Sequence, residues 1–204
     1  MRRSRSAGAW LRRHVSDPYV RQARAGGWRS RAAFKLIEID RRDALLRPGA
    51  FVVDLGAAPG SWSQVAVSRA GAGRVIGIDL LPIAPLAGAV FVLGDVRSAG
   101  DSAAIEALLP EGGADLVLSD MAPNLSGVAA ADQARSAELV EVAAEFSARA
   151  LKRGGDLLVK VFQGSEFVRL RALLTSAFER VLVRKPGASR GESAECYLLC
   201  RGRR

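Results

Sequence analysis

Short, almost wholly apolar runs recur along the chain, separated by longer stretches with helical spacing. The runs cover residues 51–55, 75–79, 90–93, 115–119, 156–162, 181–184 and 196–200, each the length of a strand. Between them, residues 61–69, 105–109, 135–151 and 165–175 read as helices. A further amphipathic helix is predicted over 30–43, with Phe34 and Ile37 on one face and Arg31, Lys35 and Arg42 elsewhere. Pro48-Gly49 then breaks the chain before the first strand. Strands that are apolar throughout are buried on both faces, as in a mostly parallel sheet covered by helices. The pattern predicts an α/β fold, a doubly wound Rossmann-like domain of about seven strands.

Composition narrows the class. The chain has 204 residues, of which 49% are hydrophobic and 25% charged, enough to build a core and too apolar for a disordered chain. No apolar run approaches the roughly 18 to 20 residues of a spanning helix, so no membrane role is expected. Cys196 and Cys200 are the only cysteines, and on one strand they stand about 13 Å apart, beyond disulfide reach. His14 is the only histidine, which excludes a Ser-His-Asp triad and a Cys/His zinc site. The site residues therefore include no metal ligands.

Charge then singles out the N-terminus. The net charge is +9, and residues 1–42 hold twelve Lys and Arg against three acidic residues, while the remainder sums to zero. A basic arm on a neutral body is the footprint of a polyanion partner, with nucleic acid foremost. The expected organisation is an RNA-contacting arm over residues 1–28 and a single domain over 29–204. An arginine-rich, acid-poor start also describes a mitochondrial transit peptide, and 26 of the basic residues are Arg, which base composition alone can favour. Trp28, inside the arginine cluster, is a candidate for stacking on a base.

Ligands of doubly wound sheets bind beyond the carboxyl ends of the strands. There the sequence places Asp54-Leu-Gly-Ala-Ala-Pro-Gly60 after the first run, Asp79 after the second, Gly94-Asp95 after the third, Ser119-Asp120 after the fourth and Lys160 near the end of the fifth. Gly56 and Gly60 suit a tight turn that lets backbone approach a ligand. The turn is neither a G-x-G-x-x-G fingerprint, because Ala58 takes the middle position, nor a P-loop, because no Gly-Lys-Ser/Thr follows. Pro59 also removes an N–H that could hold a phosphate. Asp79 falls where an acidic residue takes a ribose diol, and Asp95 where a carboxylate can accept from an adenine edge. An adenosine without a pyrophosphate points to S-adenosylmethionine, with a nucleotide-binding oxidoreductase as the alternative.

Four motifs carry a closer likeness: Gly-Ala-Ala-Pro-Gly-Ser-Trp (56–62), Ile-Asp-Leu-Leu-Pro (78–82), Ser-Asp-Met-Ala-Pro-Asn (119–124) and Val-Lys-Val-Phe-Gln-Gly (159–164). With Arg-Ser-Arg-Ala-Ala-Phe-Lys-Leu (29–36), they resemble the FtsJ/RrmJ (RlmE) family of S-adenosylmethionine-dependent ribose 2′-O-methyltransferases. The likeness implies a Rossmann-like methyltransferase fold and a catalytic tetrad of Lys35, Asp120, Lys160 and Glu195. It implies cofactor contacts from Gly60, Trp62, Asp79, Asp95 and Asp120. Ser61 departs from the family's usual glycine, beside backbone that approaches the methionine half, where it can tune affinity.

The implied reaction is methyl transfer to a uridine 2′-oxygen of large-subunit rRNA, within an assembled large ribosomal subunit, by a cytoplasmic monomer. The donor is already activated, so the protein has to supply alignment and removal of a proton. Lys160 lies among apolar neighbours, where a charge is costly unless paired. Burial and the cation of Lys35 favour a neutral amine able to take that proton, whereas Asp120 opposes this. Glu195 begins the last strand, directly before its apolar run, and joins the same rim if that strand is antiparallel. Trp62 has two readings, packing against the cofactor or in the core. The stretch 121–134 is expected to form a mobile lip over the substrate. A tRNA-directed relative and a non-catalytic RNA-binding assembly factor remain the alternatives.

Overall fold

The computed structural model describes residues 17–124, 126–189 and 193–204. Most of the proposed arm, residues 1–16, lies outside them. Asp17 opens the first helix, α1 (Pro18–Ala25): its carboxylate accepts the Tyr19 N–H at 3.0 Å, and Pro18 sits where no helical N–H is needed. This helix is absent from the hydrophobic pattern because only Val20 and Ala23 are buried. There follow α2 (Ala32–Asp43), β1 (Val52–Leu55), α3 (Ser61–Ala70), β2 (Val75–Asp79), β3 (Ala89–Leu93) and α4 (Ala99–Glu106). The chain continues through β4 (Ala114–Ser119), α5 (Ala129–Ala150), β5 (Leu151–Phe162), α6 (Phe167–Ala177), β6 (Phe178–Arg184) and β7 (Glu195–Arg203).

The seven strands form one sheet in the order β3-β2-β1-β4-β5-β7-β6. Strands β1 to β5 are parallel, and β7 inserts antiparallel between β5 and β6. The predicted doubly wound α/β sheet with an antiparallel last strand is the one observed. The order reverses between β1 and β4, which opens a crevice at their carboxyl ends.

Three element boundaries differ most from the sequence expectation. Helix α4 lies earlier than 105–109, since Ser98 caps it by accepting the Asp101 N–H and only Ser102 and Ile105 are buried along it. Helix α5 starts at Ala129 instead of 135, because an alanine-rich run has high helix propensity without any apolar periodicity. Strand β5 starts at Leu151 instead of 156, across a register shift against β4 between Ala114 and Leu116.

Each sheet face is covered. On one, Val140 and Phe146 of α5 and Leu170 and Leu174 of α6 pack on Val53, Ile76, Val117 and Val159. On the other, Leu36 and Ile39 of α2 and Trp62 and Val65 of α3 pack on Leu116, Leu118, Leu158 and Tyr197. Successive strand residues point to opposite faces. Lys160 therefore shares the α2 side with Leu158, and its cross-strand partner is Tyr197. Among the described residues no helix is long and apolar enough to cross a membrane.

Candidate active site

Four charged residues converge at the rim from four elements. Lys35 comes from α2, Asp120 follows β4, Lys160 lies near the end of β5, and Glu195 begins β7 opposite Phe162. Lys160 Nζ donates to the Asp120 main-chain oxygen at 2.6 Å and stands 3.2 Å from its Oδ1. Lys35 Nζ stands 2.8 Å from Glu195 Oε1 and 3.8 Å from Asp120 Oδ1. Lys160 is only 7% exposed. A buried ammonium or carboxylate persists only when paired and hydrogen-bonded, and each of these four has such a partner.

Tyr197 joins the four, and the sequence reading missed it. Its hydroxyl donates to Asp120 Oδ1 at 2.7 Å and lies 3.3 Å from Glu195 Oε1. Its ring is fully buried, and Lys35 Nζ sits 5.8 Å from the ring centre. Burial, then the two carboxylates, push the phenol well above its ordinary range, so it acts here as a proton donor in hydrogen bonds. The available signal was position: Tyr197 is two residues beyond Glu195, hence on the same strand face. Ser189 completes the group by donating to Glu195 Oε1 at 2.8 Å.

The turn after β1 forms the other half of the rim. Gly56 and Gly60 have φ of 74° and 101°, the region that favours glycine. A Cβ on Gly56 would come within 2.6 Å of Met121 Cγ, so the turn lies tight against the segment after Asp120. Its N–H groups are already engaged: Gly56 and Ala57 donate to Ile78 O, Gly60 to Ala57 O, and Ala58 to Asp79 Oδ2 at 2.9 Å. Pro59 has none. This turn offers no phosphate cradle, which disfavours the nucleotide oxidoreductase alternative.

The remaining predicted residues divide. Asp79 stays at the turn, with Oδ1 accepting the Leu81 N–H and each oxygen keeping a further lone pair. Asp95 is held by Arg97, whose Nε and Nη2 bond its carboxylate at 2.7–3.0 Å, and that pairing keeps it below the usual carboxylate range. Trp62 lies beneath the rim, 3% exposed, with its Nε1 donating to Ala32 O at 2.8 Å and its ring 5.6 Å from that of Tyr197. Its packing is in the core, between α2 and β7. Trp28 lies half-buried against the same core. Ser61 donates to Ser30 Oγ at 2.7 Å, so its hydroxyl is engaged by the segment before α2.

Asp54, at the end of β1, is a second feature that the sequence reading left unused. It is 1% exposed, and its Oδ2 accepts from Ser63 Oγ at 2.6 Å. Its Oδ1 has no hydrogen-bond partner among the described residues. Burial, reinforced by Asp120 and Asp79, pushes its carboxyl up to about 7.

The family profile of FtsJ-like methyltransferases matches residues 28–203. The chain belongs to the FtsJ-like methyltransferase family. It is 55% identical over 200 residues to a protein of Azoarcus sp. (strain BH72) named ribosomal RNA large subunit methyltransferase E, covering 98% of each chain. The protein of the same name from Thiobacillus denitrificans is 54% identical over 201 residues, covering 98% of this chain and 91% of that one. Among solved structures, a ribosomal RNA methyltransferase from Plasmodium falciparum superimposes with a TM-score of 0.77 at 30% identity, covering 86% of this chain and 98% of that one. The family expected from the motifs is thus the family observed, and the converging charges lie in an FtsJ-like methyltransferase.

Proposed function

We propose that this FtsJ-like methyltransferase transfers a methyl group from S-adenosylmethionine to the 2′-oxygen of a uridine in large-subunit ribosomal RNA. The observation that carries the reading is the Lys35–Asp120–Lys160–Glu195 cluster, with Lys160 buried and the other three half-buried, at the ends of β4 and β5 and the start of β7, beside the strand-order reversal of the sheet. The names of the relatives from Azoarcus and Thiobacillus support the choice of ribosomal RNA.

The residues fit the cofactor. The glycine turn has its N–H groups internally satisfied, which suits an adenosine without phosphates. The unpartnered Asp54 Oδ1 is a buried acceptor suited to a ligand's ammonium, and Asp79 retains lone pairs for ribose hydroxyls. Gly60, Asp79, Asp95 and Asp120 would line the site, with Trp62 supporting it from below. When bound, S-adenosylmethionine supplies a methyl group already activated on a sulfonium.

The chain's own residues handle the proton and the alignment. Lys160 Nζ, held by the carbonyl and carboxylate of Asp120, is the group to which we assign removal of the 2′-hydroxyl proton. Lys35 lies between Glu195 and Asp120 and balances their charge. Tyr197 fixes both carboxylates from beneath and is a positioning residue. The basic arm over 1–28 would hold the RNA backbone, while RNA shape selects the nucleotide.

The test is transfer of labelled methyl to undermethylated large ribosomal subunits, with tRNA alongside, followed by digestion to nucleosides. Label in 2′-O-methyluridine of subunit rRNA is the expected result. Label in tRNA alone would move the substrate to tRNA, and no label in either would leave an RNA-binding factor without this activity.

A further inference from the structure

Arg29 stands just before α2, at the end of the arginine-rich segment, where its charge suggests an RNA contact. The structure gives it another set of partners. Its Nη1 donates to Pro59 O at 2.9 Å and its Nη2 to Pro85 O at 2.7 Å. Its guanidinium carbon lies 5.9 Å from the centre of the Phe91 ring on β3. Its own N–H donates to Gln64 Oε1 at 2.8 Å, and Gln64 Nε2 donates back to Gly27 O at 3.2 Å. The Ser61–Ser30 hydroxyl bond adds a further tie between this segment and the start of α3.

One planar fork thus joins the turn after β1 to the segment between β2 and β3. These two segments carry Gly60 on one side and follow Asp79 on the other. They are far apart in sequence, and the guanidinium bonds a carbonyl of each, beside the Asp79 carboxylate, which accepts from Ala58 of the one and Leu81 of the other. A Cβ on Gly60 would collide with Arg29 Nη1, so glycine at 60 both leaves room for the guanidinium and permits the positive φ. Lysine cannot reproduce the contact, because a single ammonium lacks the fixed two-pronged geometry.

We infer that Arg29 is a positioning residue of the cofactor pocket, clamping its two loops together, and that its service to RNA is secondary. This rests on the cofactor reading above.

The test uses the full chain without RNA and S-adenosylhomocysteine as the calorimetric probe, comparing wild type with Arg29→Ala, Arg29→Lys and the charge control Arg171→Ala, a residue exposed on α6. Expected are an approximately tenfold weaker Kd for Arg29→Ala, in proportion to the loss of charge-assisted hydrogen bonds, a smaller loss for Arg29→Lys, and none for Arg171→Ala. In turnover, KM for the methyl donor rises while kcat at saturating donor and the affinity for large ribosomal subunits stay near wild type. Thermal melts identify any variant that fails to fold, and Arg29→Lys carries the test if Arg29→Ala is lost. Unchanged probe affinity in both Arg29 variants overturns the inference, as does a fall confined to subunit affinity. A wild type that does not bind the probe overturns the cofactor reading itself, and the inference with it.

Discussion

At the scale of single residues, the site depends on how few polar atoms are left without a partner. Tyr197 serves two carboxylates with one hydroxyl, so removing it tests the arrangement without emptying the core. Tyr197→Phe is expected to cost about 1–2 kcal/mol of stability, since buried acceptors lose a donor. It should also slow methyl transfer about tenfold, equivalent to about 1.4 kcal/mol in the barrier, with donor affinity unchanged. Denaturant unfolding and single-turnover assays on the same preparation read both effects. Asp54 gives a pH prediction. Its folded-state value of about 7 lies above the ordinary carboxylate range near 4, so between those limits the folded chain binds more protons than the unfolded one. Stability of the unliganded protein should therefore fall as pH rises across that window. In Asp54→Asn this slope should flatten, as followed by urea unfolding at several pH values. The positions of Asp120, Lys160 and Glu195 were legible in sequence because each stands at or beside the end of an apolar run, whereas Lys35, on an amphipathic helix, was singled out only by the family motif. Tyr197 and Asp54 were harder to read, since a buried tyrosine on a core strand and a strand-end aspartate have routine structural uses.

At the scale of elements, the site is held together by packing that joins α2 to the sheet. Lys35 reaches the rim because Leu36 and Ile39 anchor the buried side of its helix and Trp62 bonds to Ala32 O. Leu36 is fully buried, so Leu36→Ala should cost about 2–5 kcal/mol and lower the melting temperature. Its effect on transfer should exceed its effect on donor binding, because α2 carries Lys35 and not the glycine turn. The strands were read correctly wherever both faces are buried. What sequence could not show was α1, whose buried side is two residues, and the early start of α5, whose alanines carry no periodicity. The expected lip over 121–134 is in part the first turns of that helix, where Asp132 accepts from the Ser126 and Gly127 N–H groups and Gln133 accepts from Ser165. The pairing register also matters: Lys160 opposite Tyr197 and Phe162 opposite Glu195 bring residues from two strands to one point.

At the scale of the whole molecule, charge and fold divide the work. The folded body gathers Lys35, Asp120, Lys160 and Glu195 beside the strand-order reversal, while the excess positive charge lies in residues 1–42. Residues 1–16 contain five arginines. Deleting them should weaken binding to ribosomal subunits and flatten the dependence of log K on log salt by up to about 3 to 4, from roughly 0.7 per phosphate contact on single-stranded RNA. Affinity for S-adenosylhomocysteine should not change. A filter-binding series over salt concentration measures the slope. An unchanged slope would place the RNA-binding charge on the folded body instead.

The measurement closest to the central claim compares wild type and Lys160→Ala in single-turnover methyl transfer to undermethylated large ribosomal subunits, at saturating donor. The variant is expected still to bind S-adenosylhomocysteine and subunits, yet to form 2′-O-methyluridine slower by about 10²- to 10⁴-fold, the range of a positioned general base. A variant that transfers the methyl group at the wild-type rate would contradict that claim.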